Sequence, residues 1–157
     1  MDARFPMSPI MAFGVAVSAM DHKLACPYAV VGASANKSKY GNKVLCWYLQ
    51  HNISAVPINP TSTHIENVAC SPSLSELEWA KNREEMQKTS VSVITPPRVS
   101  ALVLQEAAKL GVKHLWFQPG SEPENMKQLA EDLDVCVIGN GPCILIDGPS
   151  MLNRARL

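Results

Sequence analysis

The sequence predicts an α/β domain, a three-layer sandwich with a five-stranded, mainly parallel sheet between its helices. Three observations lead there. Short apolar runs alternate along the chain with stretches of helical periodicity, the order in which a parallel sheet covered by helices is written. A chain of 157 residues, 46% hydrophobic and 18% charged, has the apolar content for one ordinary core and not for two domains. Each apolar run is followed by small or rigid residues joined to a hydrogen-bonding side chain, which suits the carboxyl ends of strands beyond which a ligand lies.

The first strand is YAVVGA at 28–33. It precedes a helix from about Lys39 to His51, in which Val44/Tyr48 and Leu45/Leu49 are i,i+4 pairs and Asn52 takes the left-handed stop. ISAVPIN at 53–59 is the second strand. The irregular stretch that follows reads as surface: SLSEL at 73–77 forms a single turn, and the charged KNREEMQK at 81–88 is a solvated insertion. VSVIT at 91–95 is the third strand. The helix after it has Thr95 as N-cap, Pro96 and Pro97 in the first turn, Val99, Leu102, Val103, Ala107 and Leu110 on one face, and Gly111 as the stop. HLWFQ at 114–118 is the fourth strand, and SEPE at 121–124 is a capping box opening a helix with Met126, Leu129, Ala130 and Leu133 facing inward. VCVIG at 135–139 is the fifth strand, and CILID at 143–147 is a short extra strand at the C-terminus. The chain then divides into an N-terminal extension or helix over 1–23, the sheet domain over 24–148 and a C-terminal tail over 149–157.

Fourteen Lys and Arg balance fourteen Asp and Glu, so no net field draws in nucleic acid or an anionic membrane, and any anion is bound by local groups. Five cysteines, odd in number and without a CxxC pair, suit a reducing compartment and give no zinc site or redox motif. No metal is expected. The N-terminal MDARFPMSPIMAFGVAVSAM holds an apolar run from Ile10 to Val17. That run is far shorter than the ~20 residues of a membrane span, and Asp2 cancels Arg4 where a leader needs positive charge. Two readings stand: a tail or helix packing on the domain or on a second subunit, as in a homodimer, or a cleaved leader. The first suits the cytoplasm; the second admits the mitochondrion.

The residues following the strands are Gly32-Ala33-Ser34, Asn59-Pro60-Thr61, Thr95-Pro96-Pro97-Arg98, Gln118-Pro119-Gly120 and Gly139-Asn140-Gly141-Pro142-Cys143. Together they read as the lining of a crevice in which ligand atoms approach backbone amides closely. Its phosphate end is the first of them. Gly32 permits a tight turn, Ser34 and backbone N–H groups donate, the next helix begins near Ser38 with its positive end forward, and Lys37 and Lys39 add charge. A nicotinamide dinucleotide is disfavoured, because GxGxxG is absent and the second strand ends in Asn59-Pro60 where an acid is needed for the ribose diol. A P-loop is disfavoured because GxxxxGK[ST] is absent and no acid follows a strand to organise magnesium. On this segment alone, a turn that binds nothing is the competing reading.

VVGAS followed by SKYGNKV, then PINP, VITPPRV, LWFQPGSE and GPCILIDG, taken together in this order and spacing, resembles the stand-alone CoA-binding domain family. That is a Rossmann-like group similar to the N-terminal domain of the succinyl-CoA synthetase alpha subunit. The resemblance covers about residues 24 to 148. It implies a Rossmann-like sandwich that binds coenzyme A or an acyl-CoA, a small-molecule ligand with a pyrophosphate, a ribose 3′-phosphate, an adenine and a long neutral pantetheine arm. By resemblance, Gly32, Ala33 and Ser34 face the pyrophosphate, Lys39 is its charge partner, and Tyr40, Gly41 and Asn42 lie beside them. Pro60, Thr95, Pro96 and Pro97 then flank the nucleotide and pantetheine, with Asn59, Gln118, Pro119 and Gly120 completing the lining. Arg98 either reaches a phosphate or is a solvated arginine at a helix start. The insertion around Lys81 to Lys88 and the apolar N-terminus depart from the family's pattern, and nothing resembles the ligase partner domains or the phosphohistidine segment.

Candidate catalytic groups are few. Cys143 ends a glycine-proline turn on the crevice side, where it is either a nucleophile, or partner of a mixed disulfide with the CoA thiol, or an inert thiol opening an apolar strand. His114 opens a strand and His64 lies in an irregular loop, neither with an evident acid partner; Asp147 is a general-base candidate or a turn acid. Trp47, Trp79 and Trp116 read as core or interface. Two functions follow: a non-catalytic binding or carrier module for coenzyme A or an acyl-CoA, or a small lyase, isomerase or hydrolase using the same crevice on a metabolite or acyl thioester. The lack of an acid/base pair favours the first.

Overall fold

The computed structural model describes residues 28–155, so the extension expected over 1–23 lies outside the described residues. Along the chain the elements are β1 (Tyr28–Val31), α1 (Tyr40–Gln50), β2 (Ala55–Ile58), a hairpin of β3 (His64–Ile65) and β4 (Val68–Ala69), a 3-10 turn at Leu74–Glu76, α2 (Arg83–Lys88), β5 (Ser90–Val93), α3 (Pro97–Leu110), β6 (His114–Phe117), α4 (Met126–Asp132), β7 (Cys136–Ile138) and α5 (Ile144–Ala155). Five strands form one sheet in the order β2-β1-β5-β6-β7, and every neighbouring pair is parallel. The expected five-stranded parallel sandwich is the observed one.

Alternation along the strands sorts the two faces. Tyr28 and Val30 of β1 join Val44, Leu45, Trp47 and Tyr48 of α1 and Ile144, Met151 and Leu152 of α5 in one core. Ala29 and Val31 join Val91 and Val93 of β5, Val103, Leu104 and Ala107 of α3 and Met126 of α4 in the other. The serines of β5 fall on the α1 side, where Ser92 Oγ and the Tyr48 hydroxyl are 2.6 Å apart in the interior. Burial pushes that tyrosine's pKa up, against a smaller lowering by the Ser92 bond. Helices α1 and α5 meet at a glycine: a Cβ on Gly148 would come within 2.4 Å of Trp47 Cζ2.

Helix α1 ends as expected, with Asn52 at φ 57°, and α3 ends at Gly111 with φ 106°. Several local expectations are revised. CILID is not a strand but the first turn of α5, which continues through the segment expected as a tail and buries Met151 and Leu152. A five-residue apolar run carries no period long enough to separate strand from helix. What decides is Asp147, whose Oδ2 accepts from Cys143 N at 2.7 Å and whose own N donates to Cys143 O at 2.7 Å, closing a first helical turn. KNREEMQK is solvated except at Glu85 and Met86, but it is ordered as helix α2, capped by Asn82, whose side chain accepts from Glu84 N and Glu85 N, and anchored by Met86, fully buried in the second core.

SEPE forms no capping box. Helix α4 begins at Met126 after Asn125 at φ 57°, and the Glu122 carboxylate instead accepts from Gly120 N at 2.8 Å and Asn140 N at 2.9 Å. The residue capping α3 is Pro96, not Thr95, whose hydroxyl pairs with Ser100 Oγ at 2.8 Å. That helix is also rotated from the expected face: Ser100, Val103, Leu104 and Ala107 are buried, whereas Leu102 is 65% exposed and Val99 44%. A small hydroxyl that can bond back to Thr95 O occupies a core position that an apolar count overlooks. Among the described residues no helix is long and apolar enough to cross a membrane.

Candidate functional site

Because all five strands run parallel, their carboxyl ends, and the five segments after them, share one edge of the sheet. The chain goes outward from β1 to β2 and then crosses back to β5, so the strand order reverses between β1 and β5. That is the place where open parallel sheets leave a crevice. Hydrogen bonds tie the loops there to one another. Asn59 Nδ2 at the end of β2 donates to Ala33 O at 2.9 Å, and Asn59 Oδ1 accepts from Thr61 N and Ser62 N. Ile94 N donates to Val31 O at 2.8 Å, and Gln118 N to Val93 O at 3.0 Å.

The Gly32 turn is built tightly. Gly32 has φ 89°, and a Cβ there would sit 2.3 Å from Ile94 O; a Cβ on Gly41 would sit 2.0 Å from Gly32 O. Both glycines therefore let the strand exit, the start of α1 and the β5 exit close on one another. Ala33 is buried, and Asn42, 3% exposed, donates from Nδ2 to Ser34 O at 2.9 Å, so these residues shape the turn from within. The exposed part follows. Ser34 Oγ accepts from Asn36 N at 3.1 Å, Asn36 Oδ1 accepts from Ser38 N at 3.0 Å and from Ser38 Oγ at 2.7 Å, and Lys39 N donates to Asn36 O at 3.0 Å. Among the described residues the backbone N–H groups of Ser34, Ala35 and Lys37 meet no protein acceptor. Lys37 and Lys39 are exposed on this turn, and α1 points its N-terminus at it. Fixed amides, two cations and a helix start are the chemistry that receives an anion.

The neighbouring part of the edge is thiol-containing and more buried. The Tyr40 hydroxyl and the Cys143 thiol, which begin α1 and α5, are in hydrogen-bond contact. Burial first, then that contact, raises the Tyr40 pKa well above its usual value, so the hydroxyl keeps its proton. Cys143 is 6% exposed, and the Asp147 carboxylate is engaged by Cys143 N. Gln118 is fully buried; its Oε1 accepts from Ile144 N at 2.9 Å, which fixes the amide's orientation, and its Nε2 has no hydrogen-bond partner among the described residues. Trp116 Nε1 donates to Pro142 O at 3.0 Å and holds the glycine-proline turn.

Pro60, Pro96, Pro97, Arg98, Pro119 and Gly120 are all exposed along this edge. His114 is not there. It pairs in register with Ser90 and Cys136, the first residues of β5 and β7, so it lies on the opposite edge from Cys143. Burial, and then Lys113, lower its pKa. Sequence reasoning missed Glu66. It lies at the tip of the β3–β4 hairpin, where Oε1 accepts from Asn42 Nδ2 at 2.9 Å. The only sequence sign of this turn was the polar Glu66-Asn67 pair between short apolar residues.

Residues 27–149 match the family described as CoA binding domain. The chain belongs to that family. Among solved structures it is similar to a conserved hypothetical protein from Pyrococcus furiosus, 35% identical, covering 77% of this chain and 97% of the other, with a TM-score of 0.67. A protein of Pyrococcus horikoshii is 22% identical over 80% of this chain and 82% of its own, with a TM-score of 0.69. A protein of Thermus thermophilus is 17% identical over 92% and 99%, with a TM-score of 0.71. These last two speak to the fold alone. Family membership gives the chain a CoA-related binding role.

Proposed function

We propose that the protein holds coenzyme A or an acyl-CoA in the crevice at the carboxyl ends of its strands, as a binding or carrier module without a reaction of its own. The observation that carries this reading is the Ser34–Lys39 turn. Its shape is set by Ser34 Oγ and Asn36 Oδ1, which accept from Asn36 N and Ser38 N and leave the Ser34, Ala35 and Lys37 amides without an acceptor among the described residues; it lies at the strand-order reversal, and it leads into α1. The pyrophosphate belongs on that turn, with Lys39 as its charge partner and Ser34 beside it. Gly32, Ala33, Gly41, Asn42 and Asn59 shape the turn. Pro60, Thr95, Pro96, Pro97, Arg98, Gln118, Pro119 and Gly120 border the nucleotide and pantetheine.

A catalytic reading has one feature in its favour, the Tyr40–Cys143 contact on the crevice side. Against it, Asp147 is occupied by Cys143 N, Tyr40 keeps its proton, and His114 is on the other edge, so none of these groups, the candidates among the described residues, acts as a base on the thiol. Tyr40 also directly follows Lys39, which puts Cys143 beside the phosphate end and away from where an extended pantetheine arm carries its thiol.

Calorimetric titration under reducing conditions with coenzyme A, acetyl-CoA, NAD and ATP tests the proposal. Coenzyme A should bind more tightly than NAD or ATP. Lys39→Ala should weaken it about ten- to a hundred-fold, the loss of a charge-assisted contact, while Cys143→Ser should stay within about a few-fold. NAD binding as tightly as coenzyme A, or Cys143→Ser abolishing binding or turnover of an acyl thioester, would replace this reading.

A further inference from the structure

The β3–β4 hairpin, closed by Cys70 N donating to Thr63 O, folds back on β2, where Asn59 N donates to Ser71 O and Ser71 N to Pro57 O, and Ile65, 1% exposed, pins it into the α1-side core. Its two tip residues, Glu66 and Asn67, have φ 50° and 63°, the pairing of positive φ values that a two-residue hairpin loop demands. Asparagine tolerates that conformation and glycine takes it freely, whereas glutamate is strained in it. A strained residue persists where its side chain is needed. The Glu66 side chain is half-buried, and its Oε1 is 2.9 Å from Asn42 Nδ2, the same nitrogen that is 2.9 Å from Ser34 O. One nitrogen thus joins the hairpin tip to the residue at which the exposed phosphate-type turn begins. Asn42 is buried, and its Oδ1 accepts from Cys46 Sγ at 3.4 Å, so its amide is held from both ends.

We infer that Glu66 is a positioning residue for the phosphate-binding turn, acting through Asn42 on the Ser34 carbonyl and so on the amides of Asn36, Ser38 and Lys39. The inference rests on the reading that this turn receives the ligand's phosphates. The role is that of a neutral hydrogen-bond acceptor: the carboxylate oxygen orients Asn42, and its charge is not required. An amide oxygen at the same place does the same work. Removing the side chain frees Asn42, loosens Ser34 and costs affinity, even though the hairpin itself becomes easier to form.

Two variants separate this from a structural role. Glu66→Gly removes the side chain and the backbone strain together; Glu66→Gln keeps an acceptor oxygen and removes the charge. In the free protein, Glu66→Gly should exchange the Asn36, Ser38 and Lys39 amides faster by hydrogen-exchange NMR while melting at or above the parent's temperature, and Glu66→Gln should exchange like the parent. With coenzyme A, Glu66→Gly should bind at least about five-fold more weakly and Glu66→Gln within about two-fold. Unchanged exchange in Glu66→Gly, or a Glu66→Gln that behaves like Glu66→Gly, overturns the inference. A parent that does not bind coenzyme A defeats the ligand reading, and the exchange data still decide the role of Glu66.

Discussion

A Cβ on Gly41 would meet Gly32 O at 2.0 Å, and one on Gly32 would meet Ile94 O at 2.3 Å, so each glycine faces protein backbone. Both residues were legible as part of the glycine turn and the helix start after it. Their role was not, because nine positions of sequence do not show that the start of a helix lies across the strand exit. Gly41→Ala should therefore destabilise the fold by about 1–3 kcal/mol through overpacking, whether or not a ligand is present. Urea unfolding of the free protein checks this; an unchanged midpoint would mean that the contact relaxes at no cost. Lys39 and Ser34 stood out in the sequence for a different reason, since polar groups after a glycine turn suggest an anion; Lys39 is exposed and Ser34 half-buried. Glu66 stayed hidden because its importance comes from a hairpin of two-residue strands, too short to leave a pattern.

Among the elements, α5 is the one whose sequence suggests a strand where a helix forms. Four apolar residues in CILID suit a strand, and only the aspartate four positions after Cys143 marks a helix start. Asp147→Ala should cost about 0.5–2 kcal/mol by leaving Cys143 N without its acceptor at the positive end of α5. Thermal melts should show a drop of a few degrees, and a melt equal to the parent's would remove Asp147 from the account of why α5 forms. Strand β6 offers a test by pH. Burial lowers the His114 pKa below its ordinary 6.5, so on acidification the unfolded chain takes up a proton before the folded one does. Stability from this group is complete above 6.5 and falls as the pH drops below it. Chemical denaturation between about pH 7.5 and 5.5 should show a steeper decline for the parent than for His114→Leu. Parallel declines would mean that the imidazole is as easily protonated in the fold as outside it.

For the whole molecule, the sheet was readable because the five apolar runs between Tyr28 and Gly139 each fall on a strand and each intervening segment supplies a covering helix. Strand order was not, since it depends on which strands pair across long separations, and the order β2-β1-β5-β6-β7 is what gathers Gly32, Asn59, Thr95 and Gln118 on one edge beside the reversal. The zero net charge of the chain keeps the anion question local: phosphate affinity must come from local groups, which the proposal puts on that edge. The most direct test is therefore a titration of the isotope-labelled protein with coenzyme A, followed residue by residue through backbone amide shifts. The account expects saturable shifts concentrated at Ser34–Tyr40, with smaller ones at Thr61–Ser62 and Thr95–Arg98, and none at Ser90, His114 or Cys136 on the far edge. Shifts confined to that far edge, or none at ligand concentrations where the titration should saturate, would contradict it.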